Sequence, residues 1–352
     1  MGPSLERVGV IDSYRSIIWT QRYYEPGDFE IWIDATPENI SLCRRGRLLY
    51  RDMDYENGTL KSVMIIQLVQ LHTSLEEGNT ILLQGKDIKS LLNQRIIWNQ
   101  TVFSGTLEAN IRKAITENVI SPSIAARAIS NFVLAAEMGG TATVKAQATG
   151  ENLGAWISEQ LKVYEIGYDV VVTGGSFVFN LYRGVDRSYE QSVNPYVVFS
   201  PGYENLLGTD YIEDATEYAN VAMIAGEGSG SSRKTATAGD SIVSGLDRRE
   251  VFVDAKDLST DTDSGTISTS TYKAQLVTKG EEALAEHQVG VEFTGEIQPN
   301  VNFTYGVDYF LGDKIEIANE YGVEASARII EIIDSEDETG RTVVPTFSSG
   351  GE

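Results

Sequence analysis

The chain has 352 residues, of which 41% are hydrophobic and 22% charged, and its 51 Asp and Glu against 28 Lys and Arg leave a formal net charge of −23. That balance supports substantial cores and rules out wholesale disorder, and it excludes phosphate-backbone binding as the main activity, because such binding draws its affinity from Lys and Arg. A single cysteine, Cys43, and two histidines, His72 and His287, exclude an internal disulfide, a multi-cysteine metal site, a His-rich metal centre and a proton relay.

From Val8 to about Ile97 the pattern is β. Phe29, Ile31 and Ile33 alternate with Glu30, Trp32 and Asp34. Further strands are expected at Leu48 to Arg51, Val63 to Leu71 and Thr80 to Gln84, separated by turns at Asn57-Gly58 and at Glu76-Glu77-Gly78-Asn79. Gly85-Lys86-Asp87 then leads into a short helix carrying Ile88, Leu91 and Leu92 on one face.

Residues 104 to 166 turn helical. Leu107, Ile111, Ala114 and Ile115 predict one helix, with Ser104 or Thr106 as its cap. Pro122 predicts the start of a second through Ile124, Ala128 and Ile129. A third carries Leu153, Trp156, Ile157, Leu161 and Tyr164, with Asn152 as its cap. Tyr168 to Thr173, Gly174-Gly175 and Ser176 to Tyr182 form the strongest hairpin signal in the chain: alternating arms around a Gly-Gly turn.

Strands are expected again at Tyr196 to Phe199, Asp210 to Ile212 and Tyr218 to Ile224. Residues 226–241, GEGSGSSRKTATAGDS, read as a flexible loop; the Gly226-x-Gly228-x-Gly230 spacing lacks the helix and Gly-Lys-Ser/Thr of a phosphate cradle. Residues 256–270 read as a solvated loop, since an EF-hand beginning at Asp261-x-Asp263-x-Gly265 would place Tyr272 where a bidentate Glu is needed. Tyr272, Leu276, Ala283 and Leu284 predict a helix weakened by Gly280, followed by a strand at Val291 to Ile297. Residues 304–331 close the pattern as a β-meander. It has a turn at Leu311-Gly312-Asp313, a half-buried strand at Lys314 to Ile317 and a turn at Asn319 to Gly322. The return strand alternates Val323, Ala325 and Ala327 with Glu324, Ser326 and Arg328.

No motif carries chemistry. Glu281-Glu282 and Asp334 to Glu338 read as solvated charge runs rather than an acid and nucleophile pair, and Gly-x-Ser-x-Gly and His-Glu-x-x-His are both missing. The expectation is therefore no catalytic residue, no cofactor and no metal site. No run reaches the roughly 18 to 20 apolar residues of a membrane span, because Gln67 and Gln70 interrupt Ser62 to Leu71. MGPSLERVGV lacks the features of a secretory signal, so synthesis and folding are expected in the cytoplasm. The acidic balance fits either solubility or a wall past which a polyanion slides.

In the order of its phrases the chain resembles the tail-hub proteins of long-tailed phages, similar to the central baseplate hub of contractile phages and phage-tail-like particles. The resembling residues are VIDSYRSIIWTQRYYEPGDFEIWI (10–33), Gly85-Lys86-Asp87 to Leu92 followed by Arg95-Ile96-Ile97-Trp98, Tyr309-Phe310-Leu311-Gly312-Asp313-Lys314, Ala327-Arg328-Ile329 and Pro345-Thr346-Phe347. The resemblance implies an α+β, mainly β fold: two tube-like β-barrels with an inserted α+β domain, forming a pseudo-sixfold ring as a homotrimer. The expected division is 1–103 for the first barrel, 104–186 for the inserted domain, 187–235 with 290–348 for the split second barrel, and 236–289 for a loop and helix packing with the inserted domain. It further implies a structural virion protein at the tail tip or baseplate. Its partners would be the tail tube, distal tail, tape measure and tip fibre or spike proteins, and DNA would pass its channel without specific binding. Many relatives carry a hydrolase domain after the hub; with the sequence stopping at Glu352 none is expected, and the chain is read as no enzyme. The alternatives are a hub-associated cell-wall hydrolase or peptidase with an unrecognised acidic site, and a carbohydrate-binding β protein in which exposed Trp32, Trp98 or Tyr residues stack on sugars.

Overall fold

The computed structural model describes residues 1–349 apart from 2–4, 77, 263–264, 298–301, 320 and 323. The expectations placed on Glu77, Asp263, Glu320 and Val323 lie outside the described residues.

The alternation of Phe29, Ile31 and Ile33 does what period two requires: all three are buried on one face of the strand Asp28–Asp34. That strand pairs with Ser16–Arg22 on one side and with Thr80–Asp87 on the other, and Val63–His72 and Leu48–Tyr50 continue the sheet outward. Trp19, Met64, Ile66, Ile81 and Leu83 complete this first core. Gly85-Lys86-Asp87 does lead into a helix, but a 3-10 one, Ile88–Gln94, whose N-cap is the Asp87 carboxylate.

The meander of the last fifty residues has the expected strand Lys314–Ala318 and return strand Glu324–Asp337. The return strand is 14 residues long, and its partner Lys314–Ala318 covers only residues 324–328. Beyond that point Ser16–Arg22 takes the same edge, pairing with residues 331–336, while Gly340–Ser349 runs along the other edge. One long strand therefore belongs to both halves. The outcome is a single 11-stranded sheet, and among the described residues no closed barrel forms. The two expected barrels are corrected for a physical reason. The edge that would have sealed the second is already hydrogen-bonded to the first strand of the chain. A second core, with Phe199, Leu206, Tyr309, Ile315, Ile317, Ile329 and Phe347, lies under the later half. Glu316 departs from the expected alternation, since it is buried beneath residues 188–189 and accepts a hydrogen bond from Tyr189 N at 3.2 Å.

Between the halves sits the α+β unit. Leu107–Ile115 is helical and capped by Thr106, whose hydroxyl accepts from Ala109 N at 3.2 Å; Ser104 instead lies in the strand Thr101–Thr106. Leu153–Val163 is capped by Asn152, as expected. The hairpin Gly167–Thr173 and Ser176–Tyr182 turns on Gly174 and Gly175 at φ 57° and 75°, values that other residues resist. The helix expected from Pro122 is reduced to one 3-10 turn, Ala125–Arg127. After it Asn131 takes φ 60° and the chain enters the strand Phe132–Leu134, which pairs parallel to the hairpin.

The strand expected at Tyr218 to Ile224 forms as Val221–Ala225, but its partners are Thr235–Gly239 and Glu250–Asp254, in a three-stranded sheet of its own. Thr235–Gly239 falls inside the stretch read as a loop, where Ala236 and Ala238 alternate with exposed Thr235 and Thr237. The helix Thr269–Glu286 packs on this sheet through Tyr272, Leu276 and Leu284. Gly280 is what lets it approach: a Cβ there would lie 2.5 Å from Ile224 Cδ1 and 2.7 Å from Ala238 Cβ. Helix propensity alone favours Gly280→Ala by about 1 kcal/mol. The packing reverses the sign, and a net loss of ~1–2 kcal/mol is expected by thermal unfolding; a stabilised variant would contradict the close contact.

Candidate assembly surfaces

Both acidic runs differ from the solvated stretches expected. Glu281 is exposed, but Glu282 is buried between the helices Leu153–Val163 and Thr269–Glu286, where it accepts from the Gln160 amide and lies 3.4 Å from Lys279 Nζ. Glu151 pairs with the same lysine at 3.0 Å. Asp334 is likewise buried and gripped by Arg51 at 2.6 Å and Arg341 at 2.7 Å. Its neighbours Glu338 and Thr339 are at the exposed end of the hairpin. Glu282 faces a lysine and an amide between the helices, while Asp334, with Glu336, Arg51 and Arg341, lines a cavity of about 350 Å³ that also takes in Tyr14 and Trp19; in both places the carboxylate is held by cations. Among the described residues no group of three or more His, Cys, Asp or Glu is placed to hold a metal ion.

Glu159 reports on the helix interface. Burial pushes its carboxyl up from 4.5 to about 7, with Lys279 opposing and Glu282, Glu151 and Glu286 adding to the rise. A carboxyl raised on folding binds more protons in the native state, so its contribution to stability declines as pH rises from about 4.5 to 7. Glu159→Gln removes that penalty and is expected to gain about 1–2 kcal/mol at pH 8, after discounting for partial solvation, and little at pH 4.5. Chemical denaturation at the two pH values checks this; equal effects at both would contradict it.

The other residues singled out are dispersed. His72 is exposed, and His287 is half-buried with Nδ1 2.7 Å from Glu217 O. Trp32 is half-buried and donates from Nε1 to Glu30, while Trp98 is 50% exposed beneath the Arg127 guanidinium, 4.9 Å away. Trp32 thus belongs to the strand Asp28–Asp34, whereas Trp98 packs against Arg127 of the inserted α+β unit.

Tyr23 holds the units together. The residue follows the first strand, is fully buried, and its ring lies against two glycines from distant parts of the chain. A Cβ on Gly167 would come within 2.0 Å of the ring, and one on Gly312 within 2.3 Å. Gly167 opens the α+β hairpin and Gly312 opens the later half of the sheet. The Tyr23 hydroxyl is within reach of Tyr182 O at 3.2 Å and Glu165 O at 3.3 Å, accepts from Gly184 N at 3.3 Å, and the Arg328 guanidinium lies 5.7 Å from the ring centre. Nearby, buried Lys89 donates to Arg22 O at 2.5 Å and sits 4.8 Å over the Tyr168 ring. No sequence motif marks this junction, because its partners are more than a hundred residues apart.

The sheet also has two open ends. Among the described residues Leu206–Asp214 pairs with Gly290–Ile297 and with no other strand, while Val63–His72 has its outer partner Leu48–Tyr50 only at residues 63–65. Exposed strand edges carry unpaired N–H and C=O groups and are ready templates for another chain.

Solved tail proteins have a similar overall fold. The tail protein from Neisseria meningitidis MC58 aligns with a TM-score of 0.58 at 13% identity, over 96% of this chain and 92% of that one. The 43 kDa tail protein of prophage MuSo2 from Shewanella oneidensis aligns at 0.55 and 13%, over 96% and 95%. Prophage tail protein gp18 from Listeria monocytogenes EGD-e aligns at 0.52 and 12%, over 97% and 90%. At these identities the likeness is one of fold, and the fold is that of phage tail proteins. Residues 2–348 match the Siphovirus ReqiPepy6 Gp37-like protein family, and the chain belongs to that family. No curated protein sequence matches it.

Proposed function

We propose that the chain is a structural hub of a phage tail tip or baseplate: a homotrimer that closes the tail tube and adapts its sixfold symmetry to a threefold tip. The observation that carries this reading is the shared strand Glu324–Asp337, which welds two successive β halves into one sheet with an open edge at each end. Three such chains supply six halves around one axis. Residues 1–103 and 187–235 with 290–348 supply the halves, 104–186 forms the inserted unit, and 236–289 packs beside it, taking the strand Val221–Ala225 with it. Contacts between Gln147 and Ser259 and between Thr278 and Lys145 support that packing.

The ring encloses part of the DNA-ejection channel, and the net charge of −23 keeps DNA from adhering to it. Its partners are the tail tube, distal tail, tape measure and tip fibre or spike proteins, and it resides in the virion tail. Family membership and the tail-protein fold support a structural role, so no catalysis is assigned. The test is to add the purified chain to tail tubes and image them: the chain is expected at one end of each tube as a threefold ring, and binding along the tube sides or none at all would refute the proposal.

A further inference from the structure

We infer that the ring closes by pairing the two opposite ends of the sheet, a basic edge of one copy against the acidic edge of the next. This rests on the ring reading and specifies its contact. At the first end, residues 64–72 pair inward with Thr80–Asp87, but from Gln67 to His72 no strand among the described residues covers the outer side. All six of these residues are exposed, Leu71 at 53%. The outer pairing stops where Gly46 N donates to Ile66 O at 2.8 Å and Ile66 N to Arg47 O at 2.9 Å. Arg44 and Arg45 lie just past that point, exposed, and with Arg47 they form no ion pair among the described residues.

At the second end, Ile212 to Asp214 are exposed on the outermost strand, Ile212 at 49%. Glu213 and Asp214, with Glu217 just beyond, also form no ion pair among the described residues. Both parts of the chain are acidic, but unequally: residues 1–186 hold 17 Lys and Arg against 21 Asp and Glu, and residues 187–352 hold 11 against 30.

Among the described residues each end thus offers the same three things, a strand edge without a neighbouring strand, an exposed aliphatic residue, and charged side chains outside any ion pair, arginines at the first end and carboxylates at the second, where Arg249 donates to Ala215 O at 2.6 Å. A contact between two different patches on identical subunits propagates head to tail and closes into a ring when the rotation allows. Either edge paired with its own copy would juxtapose like charges, and opposite charges select the alternate-edge pairing and its register. The occupant of each edge is therefore a second copy of this chain.

The test uses full-length chains in which charge is reversed at one end or both, followed by sedimentation equilibrium at low salt. Arg44→Glu with Arg45→Glu, and separately Glu213→Arg with Asp214→Arg, are each expected to weaken assembly at least tenfold. The four changes in one chain are expected to restore it. Thermal unfolding of each variant at a concentration where it is monomeric should stay close to the parent's, because these side chains form no ion pair among the described residues and the bonds they lose, Arg44 to Ser41 O, Tyr211 to Glu213 and Thr216 N to Asp214, are solvent-exposed. A Val69→Cys, Ile212→Cys chain should cross-link into a closed trimer under oxidation. If the parent forms rings but the reversals leave them intact and no cross-link forms, the edge contact is wrong while the hub reading stands. The edge contact is equally wrong if the reversals abolish only binding to the tail tube. If the parent never forms rings, both fail.

Discussion

Tyr23→Ala is expected to lower stability by about 3–5 kcal/mol, the range for truncating a fully buried aromatic whose site cannot collapse. The site cannot collapse because the ring is lined by the backbone of Gly167 and Gly312, which belong to different units and have no side chains to fill the void. The loss should extend beyond stability. With the ring gone, the inserted unit loses a direct contact with both the first strand region and the meander, and amide exchange should rise around residues 165–168 and 312–314 together. Tyr23→Phe keeps the ring and loses only the hydroxyl's bonds, at a cost of about 1 kcal/mol. Denaturant unfolding of both variants checks this; an alanine loss below that of phenylalanine would show that the junction is not a packing centre.

Asp334→Asn is the second large effect. Its carboxylate lies in the shared strand and accepts from Arg51 Nη1 at 2.6 Å and from Arg341 Nε and Nη2 at 2.8 and 2.7 Å. Arg51 also stands 4.9 Å over the Trp19 ring, in the core of the first half. Neutralising Asp334 leaves two guanidiniums facing each other with only Asp54 to balance Arg51, and a loss of about 3 kcal/mol is expected. The two arginines hold the Asp334 carboxyl below its ordinary value of 3.8, overcoming burial. The stability it contributes is therefore present above about pH 4 and is lost as pH falls through the lowered value. The parent should lose stability below pH 4 more steeply than the Asn variant; parallel curves would contradict the ion pair.

What the residues make legible is local. Period two places Asp28–Asp34 and Thr80–Asp87, and the Gly-Gly turn places the hairpin Gly167–Thr173 and Ser176–Tyr182. Side chains that bond their own backbone mark both caps, Thr106 and Asn152. Long-range pairing is illegible. Nothing between Glu324 and Asp337 announces that its two ends serve different partners, since strand propensity is silent about which edge meets which strand. Thr235–Gly239 escapes a sequence reading because Ala and Thr alternating among glycines and serines look like a linker; the sheet and helix packed around it make it an element of the small core. The buried acids escape for a related reason. Glu282 and Asp334 look solvated beside their acidic neighbours, and only the fold brings Lys279, Arg51 and Arg341 to them. The assembly edges carry a faint signal: three arginines in residues 44–47 and an acidic run at 213–217 are visible in sequence, but their position at opposite ends of one sheet is not.

The central claim is that this chain works as a ring. Mass measurement in solution tests it most directly: a species of three times 38.6 kDa, growing with concentration and appearing as a threefold annulus when imaged, is the predicted result. A species of 38.6 kDa that persists at high concentration, and that still forms no ring when mixed with tail tube and distal tail proteins, would contradict it.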